Sequence, residues 1–354
     1  MMEPNSANFG DFLNNTEGKP WAFWLGGLEP HRTYEYGSGV RKGKQTSDID
    51  RVPAYWPDNE TIRNDMLDYA VEVEHFDAHV MRALDLLEDS GQLDNTLVVM
   101  TSDHGMPLPF AKTQLYHHST HTPLMVRWPG VTTAGSEDTH HMVSAIDFIP
   151  TLLDVMGYSH PDPDSLHGRS FAPILKGKPQ SGRDFVIKQY NENAGRNRHP
   201  MRGIETRELL YLYNPWSDGK RKFATATTGT ATYRQMVKLS QSDPTIAARR
   251  NLFDHRVLEE LYDVQSDPDC LVNLVADPAH SEQLASLRKQ LTDSLAGMSD
   301  PVAPLLADVD NAELRNSYMA AEDARTLAAR KKKTKAKKAA DKKQNEKRGK
   351  AKPS

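Results

Sequence analysis

Residues 95–105 read Asn-Thr-Leu-Val-Val-Met-Thr-Ser-Asp-His-Gly (NTLVVMTSDHG). The β-branched and apolar run at 96–101 predicts a strand. Its C-terminal end delivers Ser102, Asp103 and His104, and Gly105 lets the backbone turn closely around whatever they hold. A carboxylate suits hard cations such as Ca2+ or Mg2+, whereas an imidazole leans toward zinc-like metals. Taken bare, the same four residues also describe a helix N-cap after a strand, where Asp is common.

Upstream, Pro57-Asp58 opens a pattern in which Ile62, Met66, Tyr69, Val73, Phe76, Val80, Leu84 and Leu87 recur at helical spacing, with Gly91 as its C-cap. Further back, the apolar run 21–28 (WAFWLGGL) predicts a short buried strand that delivers Glu29-Pro30-His31. Downstream, residues 122–128 (TPLMVRW) predict a third strand and residues 147–156 (DFIPTLLDVM) a helix. Such alternation predicts an α/β domain whose ligands gather at strand C-termini. From about residue 183 the pattern changes to short antiparallel strands, at 185–187 and 209–213, and an amphipathic helix over 278–298. The division expected is a catalytic-type domain over 1–182 and a smaller α+β subdomain over 183–300. An Ala-rich linker or helix over 301–329 and a basic tail over 330–354 follow.

Charge separates the tail from the body. The 354 residues carry net −4, yet residues 330–354 hold 13 Lys and Arg against Asp341 and Glu346 alone, leaving about −15 on residues 1–329. An acidic body argues against a nucleic-acid-binding fold. The tail should be disordered by self-repulsion, and without interleaved aromatics it reads as a solvated extension. A single cysteine, Cys270, excludes an intrachain disulfide framework and a Cys-based zinc finger, and reads as an inert semi-buried thiol. No apolar run reaches transmembrane length, and the polar start shows no export signal, so neither membrane association nor compartment is indicated.

Residues 101–130, TSDHGMPLPFAKTQLYHHSTHTPLMVRWPG, resemble the sulfatase family of the alkaline-phosphatase-like superfamily, and within it the sulfamidase (heparan N-sulfatase) branch. That family ends a strand in S-D-[NH]-G, follows it with a basic residue in a segment like K-x-x-L-Y, and continues with a P-L-x-V-R-x-P-G strand. Pro30-His31-Arg32 resembles its P-H segment and residues 147–153 its D-x-x-P-T-L-L helix. Leu261-Tyr262-Asp263, Asp267-Pro268 and Asn273-Leu274 resemble its late signature. The resemblance implies an α/β, alkaline-phosphatase-like mixed sheet flanked by helices. It also implies hydrolysis of a sulfate ester or N-sulfo group on a sulfated sugar or other sulfated small molecule. Asp103 and His104 would be two ligands of one divalent cation, usually calcium, Lys112 would contact the sulfate, and His31 would contact it or protonate the leaving group. The family is periplasmic or secreted.

Departures from the family pattern matter as much. Sulfatases also need an Asp-Asp pair and a C/S-x-P-x-R segment whose Cys or Ser becomes formylglycine. This chain has no Asp-Asp dipeptide. Ser159, Ser242, Ser266 and Ser299 have Pro two residues on but no Arg four residues on, and Cys270 does not fit either. The resemblance therefore implies an incomplete sheet, with an unpaired edge and an apolar face, and little activity from the chain alone. His117, His118 and His121 invite a second-metal reading that their loop setting weakens. Two other readings stand beside the sulfatase one. One is a two-zinc phosphodiesterase of the same superfamily, whose strand end the TSDHGM segment also resembles, and the other is a non-catalytic pseudoenzyme or remnant.

Overall fold

The structure, a computed structural model, describes the backbone of residues 6–193 and 197–350 and the side chains of 8–193, 197–332 and 334. Helix α1 (Ser6–Asn14) leads to a single turn, α2 (Ser38–Arg41), and then the long α3 (Glu60–Asp89). The oxygen of Asn59 caps α3 by accepting from the Ile62 amide at 3.2 Å. Gly91, at φ 68°, closes it with a bond from its amide to the Glu88 carbonyl. Strand β1 (Val98–Thr101), the turn α4 (His117–Thr120) and β2 (Leu124–Arg127) follow. Then come α5 (Phe148–Met156), the turn α6 (Ala172–Leu175), β3 (Phe185–Glu192), β4 (Arg198–Thr206) and β5 (Leu209–Tyr213). Helices α7 (Ala231–Leu239) and α8 (Pro244–His255), strand β6 (Glu259–Asp263), α9 (Ser281–Gly297), α10 (Ala303–Ala307) and α11 (Ala312–Lys350) complete the chain.

Two antiparallel sheets result. β1 pairs with β2, Val98 opposite Arg127 and Thr101 opposite Leu124. The other sheet runs β3-β4-β5-β6 in sequence order. One buried cluster joins the site half to this sheet, with Val52, Trp56, Met66, Leu108 and Phe110 packed among residues such as Leu212, Phe223, Phe253 and Tyr262. A second, made by Leu284, Leu287, Leu291 and Leu295 of α9, lies against Ile204, Tyr211 and Leu261. The α9 leucines recur at helical spacing, which is why the helix is readable from sequence.

Three elements differ from expectation. Residues 21–28 form no strand, because no neighbouring strand offers them a ladder. Trp21 packs edge-on and Phe23 tilted against Phe9 and Phe12 instead, and Trp24 is left 88% exposed. β4, unforeseen because it carries Arg, His, Pro and Glu, is almost wholly buried. Its charges are paired: Arg202 with Asp300 at 2.8 Å, Arg198 with Glu322, and Glu205 with Lys188. The tail from residue 330, expected to be disordered, continues α11 to residue 350. Met319 and Glu322 dock the first part of that helix, and the Lys/Ala run that follows is rich in strong helix formers. Residues 351–354 lie outside the described part.

The sheet beside the site is bare. No residue of β1 or β2 is fully buried, although both strands are almost entirely apolar. Just beyond, Ile146, on the turn before α5, and Ile149, Leu152 and Met156 of α5 are between 36% and 55% exposed. Together they make an exposed apolar surface. The folded chain should therefore bind a hydrophobic dye at neutral pH. Ile149→Glu with Met156→Glu should cut that fluorescence severalfold and move stability by no more than about 0.5 kcal/mol each, as for surface positions. Undiminished dye binding by the double variant would place the exposed surface elsewhere.

Candidate functional site

Strand β1 ends at Thr101, and the turn beyond it is held by the Ser102 hydroxyl, which donates to the His104 carbonyl at 2.8 Å. Gly105 then passes directly against the next crossing of the chain. Its amide donates to the Ser119 carbonyl at 3.1 Å, and a Cβ placed there would lie 2.0 Å from the His118 carbonyl oxygen. Only glycine permits that approach.

His104 Nδ1 lies 2.7 Å from the Gly105 carbonyl oxygen, so it is the nitrogen that carries the proton and donates. Nε2 is left with its lone pair, 3.4 Å from Asp103 Oδ2. Asp103 is 84% exposed, and its carboxylate accepts no hydrogen bond among the described residues. One hard oxygen and one imidazole nitrogen thus stand side by side, with a backbone carbonyl setting the tautomer as in metal-ligating histidines. They fit two positions in a divalent cation's shell and no more. No cluster of three or more His, Cys, Asp or Glu suited to a metal exists among the described residues.

Lys112 lies on the loop after Gly105. Phe110 and Thr113, on either side of it, sit at φ 68° and 60°, in the left-handed region that a bulky or β-branched residue adopts only under constraint. The constraint is visible: Leu108, Phe110 and Ala111 are buried in the main core, and the Thr113 hydroxyl bonds Thr225 at 2.5 Å. Lys112 is itself only 9% exposed. Burial pulls its ammonium below the ordinary range, the Arg32 charge lowers it further, and Asp103 opposes both.

His31 is brought to the same region but not into contact. It is exposed and makes no hydrogen bond or ion pair with Asp103, His104 or Lys112. Its Nδ1 bonds the carbonyl of Arg32, and Nε2 meets no partner among the described residues. Arg32 supplies the link, because its guanidinium reaches Asp65 on α3 at 2.6 Å and the Pro107 carbonyl at 3.4 Å. Sequence reasoning took Arg32 only as a letter of the P-H motif and missed Asp65, which looks like one more polar position on a helix.

The other candidates are occupied. His117 bonds Glu205 at 2.8 Å, His118 bonds Asp269 at 2.9 Å, and the His121 ring packs 4.7 Å from that of His117. His117 and His118 tie α4 to its neighbours, Glu205 on β4 and Asp269 beyond β6. Burial pushes the Cys270 thiol up to about 12, which leaves it unreactive at neutral pH.

Against this geometry, comparison with known proteins is specific. Residues 3–158 match the family model described as Sulfatase, and residues 103–217 match that described as N-sulphoglucosamine sulphohydrolase, C-terminal. The chain belongs to the sulfatase family. This sulfatase-family chain is 27% identical over 252 residues to an ulvan-active sulfatase of Formosa agariphila, covering 70% of the chain and 41% of that protein. It is 26% identical over 314 residues to the N-sulphoglucosamine sulphohydrolase of Homo sapiens, covering 79% of the chain and 61% of that enzyme. It therefore spans less than two thirds of the length of either. A putative sulfatase of Bacteroides fragilis superposes with a TM-score of 0.64 at 20% identity, covering 85% of the chain and 59% of the other. That likeness establishes the alkaline-phosphatase-like fold. Sulfatases generally use a metal ion and formylglycine.

Two outcomes follow from the packing. Gly105→Ala should cost about 3 kcal/mol or more, the upper range for overpacking, because the new methyl meets backbone rather than a movable side chain. Chemical denaturation measures this, and a loss under about 1 kcal/mol would contradict the close crossing. Burial alone would raise the Glu205 carboxyl, but Lys188 and His117 hold it down at about 2. Its stabilisation is complete above the ordinary carboxylate range and is lost as pH falls from about 4.3 through 2. Glu205→Gln should cost about 3–5 kcal/mol at pH 7 and flatten the acid limb of the stability curve.

Proposed function

We propose that this chain supplies the cation-binding and sulfate-binding side of a sulfatase centre acting on sulfated sugars. The observation that carries the proposal is the open Asp103–His104 donor pair beside the buried ammonium of Lys112. Asp103 and His104 would hold the divalent cation, taken as calcium by the habit of the family. A bound cation would supply positive charge to sulfate oxygens and offset charge that develops on them.

The remaining roles belong to the chain's own groups. Lys112 binds an equatorial oxygen of the sulfuryl group, and its burial strengthens the attraction by excluding water. His31, with Nε2 unoccupied, holds or delivers a proton at the leaving atom. The sugar class is supported by the names of the relatives, an ulvan-active sulfatase and an N-sulphoglucosamine sulphohydrolase. No residue is given the part of nucleophile, since no Cys or Ser of the 354 residues has Pro two and Arg four positions on.

The purified chain should bind inorganic sulfate in a Lys112-dependent manner yet release no sulfate from N-sulfoglucosamine or an aryl sulfate above background. Lys112→Gln should weaken sulfate binding at least tenfold, the scale of one charge-assisted hydrogen bond. Asp103→Asn should weaken calcium binding, read by isothermal titration, without that loss of sulfate affinity. Robust calcium-dependent turnover by the wild-type chain would sink the division of labour proposed here.

A further inference from the structure

A second cation stands beside Lys112. Arg32 Nη2 donates to Asp65 Oδ1 at 2.6 Å, and its Nε reaches the carbonyl of Pro107, on the loop that carries Lys112. The guanidinium carbon lies 4.4 Å from the centre of the Tyr34 ring. Asp65 is 1% exposed, and its other oxygen accepts from the amide and hydroxyl of Thr232 at 3.0 and 2.6 Å. The carboxylate is therefore committed on both sides and fixes the arginine rigidly between α3, the start of α7 and the Lys112 loop.

What the anchor leaves free is the remaining amino group. Nη1 meets no acceptor among the described residues, while the Arg32 side chain stays 24% exposed. Arg32 lies near enough to Lys112 for its charge to act on that ammonium, and although Asp65 pairs with the arginine, an oxyanion reaching both side chains would meet two cations. Lysine offers such an anion a point charge, whereas a guanidinium held at one nitrogen presents planar donors in a fixed direction.

We propose that Arg32 is a second sulfate-contacting residue, gripping a sulfuryl oxygen through Nη1 while Asp65 holds Nη2. The inference rests on the reading of Lys112 as a sulfate ligand. It gives the site two cations of different geometry.

The test uses the intact chain and inorganic sulfate. Phenylglyoxal modification of Arg32 and acylation of Lys112 are followed by peptide mass mapping, with and without sulfate. Sulfate should slow both reactions, with sodium chloride at equal ionic strength as the control. Arg32→Gln should weaken sulfate binding about tenfold, as for one charge-assisted contact, and Arg32→Lys should recover only part of the loss. Protection of Lys112 without protection of Arg32, or an Arg32→Gln affinity within twofold of wild type, overturns the inference and leaves the Lys112 site standing. Protection of neither residue overturns both. The labelling arm needs no substitution, so its answer stands even if Arg32→Gln does not fold.

Discussion

Glu205 sits on β4 with its two carboxylate oxygens divided between Lys188 of β3 and His117 of the segment beyond Lys112. All three groups are largely withdrawn from water, so each charge depends on the others being in place. Removing the carboxylate would take the acceptor from His117 and leave the buried Lys188 ammonium with the Leu115 carbonyl at 3.3 Å. The bond to His117 also fixes α4, whose carbonyls at His118 and Ser119 lie against Gly105. The position of the strand-end turn is thus set from the far side, by a sheet more than eighty residues further along the chain.

That dependence explains which parts were readable in the sequence. Helix α3, both site strands and α9 announce themselves through apolar spacing, since their contacts are ones that hydrophobic pattern encodes. β4 hides because its burial is purchased with ion pairs, and a segment containing Arg198, Arg202 and Glu205 reads as surface. Residues 21–28 mislead in the opposite direction. Their composition suits a central strand, but a strand needs hydrogen-bonding neighbours as well as apolar side chains.

The candidate site divides along the same line. Asp103, His104 and Lys112 are close in sequence and were read together from a motif. Arg32, Asp65 and Thr232 come from three distant segments, and nothing local marks Asp65 as the buried post that holds an arginine. The motif supplied the residues on one stretch of chain, and the packing brings Arg32, held through Asp65 and Thr232, against the loop that carries Lys112. The candidate site is therefore assembled partly from residues that look ordinary until the chain is folded.

The backbone on either side of Lys112 carries a thermodynamic consequence. Phe110 and Thr113 stay left-handed only while the core grips Leu108, Phe110 and Ala111, so the unfolded chain has no preformed anion site. A sulfate ion that recognises the folded loop alone acts as a folding ligand. At ten times its dissociation constant it would add about 1.4 kcal/mol to stability by mass action. For a chain with so much uncovered apolar surface, sulfate bound as proposed would also be a means of staying folded.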